Sequence, residues 1–295
     1  MNFIDISSWQ RGLDLSALFR QNPIDGVIVK TSGGASYTQD TADPWIQWLI
    51  KNGKPWGFYH FLNDDWKGSS GKAEAEFFVS RCRSYFGKGM PFADYEASAL
   101  SFGTYYLKAF LDTVYSLTGV KCGVYCSLSV IHEQDFSEIA KAGYPLWVAQ
   151  YADSAVVNGF LETPWQSGSV SPFPKYVMHQ YSGNGRLKGY ANALDLDKYY
   201  GTKEDWAKML SNGYSPSPEP TPERKSVNPS VVADILAGRF GTGVERVERL
   251  SREGFDPVEC QNKVNEVYGI AQSCKKYING NEDYLNSIIK VVKLL

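Results

Sequence analysis

Two acidic residues separated by a single position, Asp94 and Glu96, are the clearest candidates for chemistry in this sequence. They follow a short apolar run at 90–93, which is typical of the start of a β-strand. Because residues i and i+2 of a strand face the same side, we expect both carboxyl groups to point into one site while Tyr95 packs behind them. Two neighbouring carboxyl groups cannot both ionise freely, so their pKa values separate. One protonated acid beside one charged carboxylate is the pair that hydrolysis of a glycosidic bond requires.

Two further acids, Asp5 and Asp195, strengthen this interpretation, since a D-x-E triplet alone is common in any sequence. Asp5 is predicted at the carboxyl end of the first strand, and Asp195 at the carboxyl end of the last one. Carboxyl groups gathered at one mouth of a protein core are costly to bury unless they serve a function. We therefore predict that Asp5, Asp94, Glu96 and Asp195 form one catalytic cluster.

An α/β barrel is the fold that would bring these acids together. Eight apolar runs predict strands, and four longer patterns between the early runs predict helices. This alternation favours a parallel sheet, and eight strands favour a closed barrel with its site at the carboxyl ends of the strands. The last three runs are separated by loops rich in Gly, Pro and Ser, so we expect an irregular TIM-like barrel with about five helices. The strands are predicted at 2–7, 26–32, 55–61, 90–96, 121–127, 145–151, 175–181 and 193–199, and the helices at 41–52, 71–85, 101–118 and 136–142.

The same strand ends carry side chains that could bind a sugar. Aromatic residues make up 14% of the chain, and amphipathic rings suit a groove that stacks on flat, half-polar ligands. Each ring taken singly is equally compatible with packing in the barrel core. The predicted substrate-binding residues are Lys30, Tyr59, Tyr125, Trp147, Gln150, Tyr151, Gln180 and Tyr181.

A proline-rich segment divides the chain. Prolines alternate with small or polar residues over 215–226, which predicts a semi-rigid extended spacer. We therefore expect a catalytic barrel at 1–213, a linker at 214–226 and a C-terminal domain at 227–295. Helical periodicity after the linker predicts a small all-α bundle, with Asn228 as an N-cap before Pro229. The tail at 272–295 could be one more helix of the bundle or a surface for self-association.

Composition excludes several other classes of function. A net charge of −2 leaves no basic footprint for nucleic acid and no polybasic membrane patch. No run approaches the ~18 apolar residues of a membrane span. The three histidines are isolated in sequence and form no zinc motif, so we expect no metal and no other cofactor. The first residues contain no apolar run of signal-peptide length, which predicts synthesis in the cytoplasm with mostly reduced, buried cysteines.

Eight motifs carry a resemblance to a known family. In order and spacing, the chain resembles the muramidases of glycoside hydrolase family 25, the Chalaropsis-type lysozymes, over about residues 1–210. The resemblance implies an irregular barrel that cleaves the β-1,4 bond between N-acetylmuramic acid and N-acetylglucosamine in peptidoglycan. It implies that Glu96 is the general acid/base, Asp94 the second carboxylate, and Asp5 and Asp195 supporting acids. The motifs are DISSWQ, GVIVKTS, GFYHF, FADYEA, CGVYCS, LWVAQY, HQYS and LDLDKYYG.

Two points stay open beside this resemblance. The family usually has a glutamate in a K-x-T/S-E-G pattern, whereas the run here is Lys30-Thr31-Ser32-Gly33-Gly34, which leaves open whatever polar contact that position supplies but does not affect the D-x-E pair. Asp94 could attack carbon directly or orient the N-acetyl group of the substrate, and the sequence does not separate these routes.

The segment 232–267 is similar to a single CW-seven (Cpl-seven type) cell-wall-binding repeat, on its AGRFGTG, ERVERL and GFD motifs. That similarity implies recognition of peptidoglycan, and one copy binds weakly unless the chain forms a homo-oligomer. The combined interpretation is a phage endolysin that reaches the wall after holin-type release. The alternatives are a bacterial autolysin of the same chemistry, a non-catalytic glycan-binding barrel, and a wall amidase or peptidase.

Overall fold

The computed structural model describes residues 1–166, 168–210, 225–242, 246, 249–250, 252–257 and 259–267. The chain divides into two compact units, Met1–Pro216 and Ser217–Leu295. Most of the predicted linker at 214–226 and all of the tail at 272–295 lie outside the described residues.

The first unit alternates strands and helices along the chain. The strands are β1 Asn2–Ile6, β2 Gly26–Gly33, β3 Tyr37–Thr38, β4 Trp56–Phe61, β5 Met90–Asp94, β6 Gly123–Ser127, β7 Leu146–Ala149, β8 Val157–Asn158, β9 Met178–Arg186 and β10 Leu194–Tyr199. The α-helices are α1 Leu15–Gln21, α2 Ala42–Lys51, α3 Gly71–Cys82, α4 Gly103–Thr118, α5 Leu128–Glu133, α6 Ser137–Lys141 and α7 Lys203–Leu210, with 3-10 turns at Ser8–Gln10 and Ala97–Phe102.

Eight of these strands close into a barrel. Their order around the ring is β1, β10, β9, β7, β6, β5, β4 and β2, and β2 pairs back with β1. The predicted eight-stranded α/β barrel is therefore confirmed. The barrel is mixed, however, because β10 runs antiparallel to both β1 and β9. The loop at 187–193 between β9 and β10 is too short for the crossover of a dozen or more residues that a parallel connection needs.

Helices are more numerous than the expected five: the described part of the first unit contains seven α-helices. The additional ones, such as α1 and α7, are seven and eight residues long. Two turns are too few to show a clear 3.6-residue period in sequence. Local capping starts α1, because the Asp14 side chain accepts a hydrogen bond from the Ala17 backbone N–H at 3.0 Å.

Apolar side chains fill the barrel interior and also the layer between the sheet and the helices, which explains the near-continuous apolar strands. Along β5, Phe92 belongs to the interior cluster and Ala93 to the outer one, so the following residue, Asp94, returns to the interior face. The Phe92 and Trp147 rings lie 5.1 Å apart and form a packed floor. The acidic side chains that face the barrel interior therefore lie above a layer of packed aromatic rings.

The second unit has its own small core. Helix α8, Pro229–Leu236, begins at Asn228, whose side chain accepts a hydrogen bond from the Val231 backbone N–H at 3.1 Å. Residues 259–267 are also helical. The buried cluster of this unit consists of Val231, Val232, Ile235, Phe240, Leu250, Cys260 and Val264.

The four described cysteines, Cys82, Cys122, Cys126 and Cys260, are all buried free thiols. Within the described ranges, no helix combines the length and the apolar character needed to cross a lipid bilayer.

Candidate active site

A cavity of about 280 Å³ opens at the end of the barrel where the parallel strands terminate. It holds the four acids singled out in the sequence together with a lysine, a glutamine and several aromatic rings. Its lining consists of Asp5, Ser7, Trp9, Lys30, Tyr59, Phe61, Asp94, Glu96, Tyr125, Trp147, Tyr151, Gln180 and Asp195.

The reversed direction of β10 explains how Asp195 reaches this mouth. Asp195 is the second residue of β10, not its last, and it pairs in register with Asp5 of β1. Because β10 runs antiparallel to its neighbours, its beginning lies at the same rim as the carboxyl end of β1. The predicted position of Asp195 at the carboxyl end of its strand is therefore wrong, and Asp195 reaches the rim from the opposite end of β10.

Asp94 and Glu96 enter the cavity from one extended segment. Asp94 ends β5, and Glu96 keeps an extended backbone, with φ −150° and ψ −173°, before the 3-10 turn. Tyr95 between them is fully buried, and its hydroxyl donates to Oε1 of Gln134 at 2.6 Å. The two carboxyl groups thus share one face because Tyr95 is fixed on the other.

Gln180 organises the centre of the site. Its Nε2 donates to Oδ2 of Asp5 at 2.7 Å, while its Oε1 accepts from the Tyr125 hydroxyl at 2.8 Å and the Tyr151 hydroxyl at 2.6 Å. Both polar ends of the amide are therefore used, which fixes its orientation. This network holds Asp5 and the two tyrosines in one arrangement across three strands and a loop.

The carboxyl group of Asp94 is held differently. It is only 7% exposed, and its Oδ1 has no hydrogen-bond partner among the described residues. Asp197 beneath the cavity accepts a hydrogen bond from Nε1 of Trp147 at 2.8 Å through its Oδ1, while its Oδ2 has no partner among the described residues. An acceptor left unpaired in a buried position is costly, so burial disfavours the charged form of both carboxyl groups.

Burial raises the pKa of every carboxyl group in the cluster. For Glu96 the raised pKa results from burial, with the Lys30 ammonium opposing it. For Asp94 burial comes first and repulsion from Glu96 second, and together they raise its pKa well above its usual range. Burial and repulsion from Glu96 raise the pKa of Asp195 to about 6. The charged form is therefore disfavoured at both Asp94 and Glu96, and the titration of each group depends on the charge of the other.

Ten of the twelve residues predicted for the site line the cavity. The other two, Gln150 and Tyr181, are not part of its lining. Tyr181 belongs to the outer core layer, and its hydroxyl accepts a hydrogen bond from the Leu161 backbone N–H at 3.2 Å. Neighbouring residues of a strand point to opposite faces, so Gln180 and Tyr181 cannot both point inward. The backbone carbonyl of Gln150 accepts from Nε2 of His179 at 2.7 Å, outside the cavity.

Sequence reasoning missed three of the lining residues and one important neighbour. Ser7 and Trp9 follow directly after β1, and Phe61 ends β4, so their positions after strands could have identified them. Asp64 lies in the loop after β4, and its Oδ2 is 2.9 Å from Nζ of Lys30. No motif signals that contact, because it joins two segments far apart in sequence.

Replacing Asp195 with Asn should stabilise the first unit at pH 8 by about 3 kcal/mol and change little at pH 4. The folded-state pKa of Asp195, about 6, lies above the ordinary value. The energetic penalty is therefore absent below about pH 4, grows as the pH rises, and is complete above the folded-state pKa. All eight tryptophans lie within residues 1–210, so urea unfolding followed by tryptophan fluorescence reports this unit. Equal unfolding midpoints for the variant and the wild-type chain at pH 8 would contradict the assignment.

Two family models match this chain, one in each of its two units. The family model described as glycosyl hydrolases family 25 matches residues 4–190, and the model of the CW_7 repeat matches residues 230–267. The lysozyme of Streptococcus phage Cp-7 is 23% identical over 275 residues, which cover 90% of this chain and 69% of that protein. The autolytic lysozyme of Clostridium acetobutylicum is 25% identical over 211 residues, covering 68% of this chain and 56% of that protein.

The fold has a solved counterpart in the bacterial lysozyme from Streptomyces coelicolor, with a TM-score of 0.59 and 23% identity over 72% of this chain and 97% of that one. That likeness concerns the barrel. The family match covers more than half of the chain. It includes Asp5, Asp94 and Glu96, and it ends at residue 190, before Asp195. The chain therefore belongs to the glycosyl hydrolases family 25 and is a hydrolase of the lysozyme class.

Proposed function

We propose that this chain cleaves the β-1,4 bond between N-acetylmuramic acid and N-acetylglucosamine in the peptidoglycan of Gram-positive cell walls. One observation carries the proposal: Asp94 and Glu96 line one cavity together with Asp5 and Asp195. Paired carboxyl groups with raised pKa values supply both a proton donor and a charge for an oxocarbenium-like transition state.

Glu96 is the proton donor in this proposal. It is more exposed than Asp94, and burial holds its pKa above the ordinary value, so it can keep a proton and reach the glycosidic oxygen. Asp94 lies deeper and lines the same cavity as Glu96. As the Glu96 proton moves to the leaving group, the negative charge of Asp94 stabilises the positive charge that develops at the anomeric carbon.

The side chains around these acids bind the glycan in two ways. Tyr59, Tyr125 and Trp147 are at most 9% exposed, so they form the floor and present edges and hydroxyl groups. Trp9 is 89% exposed and Tyr151 is 43% exposed, so their ring faces are free to stack on sugars. We therefore assign stacking to Trp9 and Tyr151, and polar contacts to Lys30 and Gln180.

Analysis of digestion products tests the bond that is cut. Isolated cell walls are incubated with the full chain, the fragments are reduced with borohydride, and the reduced ends are identified by mass. Cleavage after N-acetylmuramic acid yields muramitol ends. Glucosaminitol ends would instead indicate the other glycosidic bond, and new amino termini would indicate an amidase or peptidase; either result would refute the proposal.

Phage lysis is the biological setting that we propose. Its support is the similarity to a phage lysozyme together with the CW_7 match. In this setting the enzyme reaches the wall after a holin-type lesion opens the membrane. A culture producing the chain in the cytoplasm should keep its turbidity until chloroform permeabilises the membrane. Lysis without permeabilisation would favour the second candidate, a self-exported autolysin, which the similarity to an autolytic lysozyme supports.

We propose that the second unit binds the wall and that the chain forms a homo-oligomer through it. A single matched repeat gives one wall contact per chain, and linking two chains would raise the effective affinity without new contacts. The apolar run at 288–295 is the candidate contact in sequence, and it lies outside the described residues. Light scattering of the full chain that gives a monomer mass at micromolar concentration would contradict the oligomer.

A further inference from the structure

Gly33, the last residue of β2, and Gly34, in the turn after it, leave space that the side chains of Asp64 and Asp65 fill. A Cβ atom added at Gly33 would overlap the Cβ and carboxyl atoms of Asp64, and one added at Gly34 would overlap the carboxyl group of Asp65. A side chain on residue 33 and the side chain of Asp64 would therefore compete for the same space. The space beside Gly33 is thus filled by a carboxylate from the loop after β4.

The loop that carries Asp64 is fixed from several sides. The backbone N–H of Asn63 donates to Oε2 of Glu74 at 3.0 Å, and Nδ2 of Asn63 donates to Oγ of Ser98 at 2.9 Å. Glu74 is itself fully buried, and its Oε2 also lies 3.1 Å from Nε2 of His60. Because these groups hold the residue before it, Asp64 is a positioned side chain.

The residue after Asp64 is fixed as firmly. Oδ2 of Asp65 accepts hydrogen bonds from the backbone N–H of Ala35 at 3.1 Å and from Oγ of Ser36 at 2.7 Å. The loop after β4 is thereby tied to the turn that follows β2. Asp64 lies between two anchored residues, directly over Gly33.

Lys30 is the group that Asp64 contacts. Its Nζ lies 2.9 Å from Oδ2 of Asp64 and 4.5 Å from the centre of the Phe61 ring, and only 13% of the side chain is exposed. Lys30 lines the acid cavity and lowers the pKa of both Asp94 and Glu96. The position of its ammonium group therefore bears directly on the pKa values of both acids.

We propose that Asp64 is a positioning residue of the active site, which holds the Lys30 ammonium at the cavity wall from the space left empty by Gly33. The inference rests on the proposed hydrolase function and adds a residue to it. Asp64 acts through Lys30, and the absence of a side chain at residue 33 is the condition that lets it do so. Its negative charge offsets part of the field that Lys30 exerts on the acids.

The direction in which the pKa of Glu96 changes when Asp64 is removed follows from the charges that surround Lys30. Without the Asp64 charge, the uncompensated Lys30 ammonium lowers the pKa of Glu96 further, whether it stays in place or moves toward the acids. The protonated form of Glu96 is then lost at lower pH. His60 also faces this region, since its pKa responds to both Asp64 and Lys30 and its partner is Glu74, and the Asp65–Lys67 pair lies in the same loop as Asp64. The other charged or titratable groups that meet here are Asp5, Lys30, Asp64, Asp94, Glu96, Asp195, Tyr59, Tyr125 and Tyr151, with the Tyr37 ring 5.5 Å from Nζ of Lys30.

Two kinds of variant of the full chain test the proposal. One removes the carboxylate of Asp64, and the other moves a carboxylate from residue 64 to residue 33. Asp64→Asn should lower kcat/KM on isolated cell walls about tenfold and move the basic limb of the pH–rate profile down by about half a pH unit. Asp64→Gly should do the same. Adding Gly33→Asp to Asp64→Gly returns a carboxylate to the same space from β2, so this double variant should recover most of both losses.

Asp40→Asn is the matched control, because it removes the carboxylate of an exposed ion pair, Arg11–Asp40 at 2.7 Å, away from the cavity lining. It should keep the wild-type rate and profile. An Asp64→Asn variant that matches the wild-type chain in kcat/KM and in its basic limb overturns the inference. So does a folded double variant, judged by its melting temperature, that recovers neither loss.

The proposed function fails in a different way. If the wild-type chain releases no muramitol ends from walls, the hydrolase proposal itself is wrong. If the wild-type chain releases them and Asp64→Asn is indistinguishable from it, only the role of Asp64 is wrong. The Asp64→Asn pH profile decides this even where the double variant does not fold.

Discussion

Glu96→Gln is expected to lower the rate of wall hydrolysis by about three orders of magnitude while leaving the fold and wall binding intact. Glutamine has nearly the same size and no proton to donate at the glycosidic oxygen. The raised pKa of Glu96 shows that its burial already favours a neutral group at this position, so the substitution adds no buried charge. The expected loss is therefore one of chemistry and not of stability.

The measurement is the initial rate of turbidity loss of isolated walls, with sedimentation of the protein with walls as the binding assay. Glu76→Gln is the matched control, since Glu76 is an exposed residue in the middle of α3. It should retain the full rate. A Glu96→Gln variant that keeps more than a few per cent of the wild-type rate would refute Glu96 as the proton donor.

The strands of the barrel could be predicted from the sequence because they are buried on both faces. All eight predicted runs coincide with barrel strands to within a few residues, since near-continuous apolar runs of this length have few other uses. The direction of β10 could not be predicted from its own residues. It depends on the length of the connection before it. The strand predicted to end at residue 181 leaves residues 182–192 as the connection, whereas β9 extends to Arg186 and shortens it to 187–193.

The site was predictable where it depends on local geometry, and less so elsewhere. Asp94 and Glu96 enter one cavity because alternate residues of an extended segment share a face. The same rule argues against choosing both Gln180 and Tyr181, and the structure places only Gln180 in the cavity lining. Asp64 was unpredictable, because its contact with Lys30 depends on two loops meeting over a glycine.

Asp94→Ala is expected to lower wall hydrolysis by about two to three orders of magnitude, with the first unit as stable as in the wild-type chain or more stable at neutral pH. Burial and repulsion raise the pKa of Asp94 well above its usual range, so removing this carboxyl relieves an electrostatic penalty that offsets the lost packing. The catalytic loss arises because the developing positive charge then has no carboxylate beneath it.

Added azide distinguishes the two routes that Asp94 could take. If Asp94 attacks the anomeric carbon, its removal leaves space on that face, and azide should restore the rate and yield an α-glycosyl azide. If Asp94 instead orients the N-acetyl group, which itself attacks from that face, azide can add only from the opposite side and gives the β product. The configuration of the azide, read by NMR on a short glycan, assigns the route. An Asp94→Ala chain that keeps a tenth of the wild-type rate without azide would exclude both, because each route needs the carboxylate whose Oδ1 the folded protein leaves unpaired.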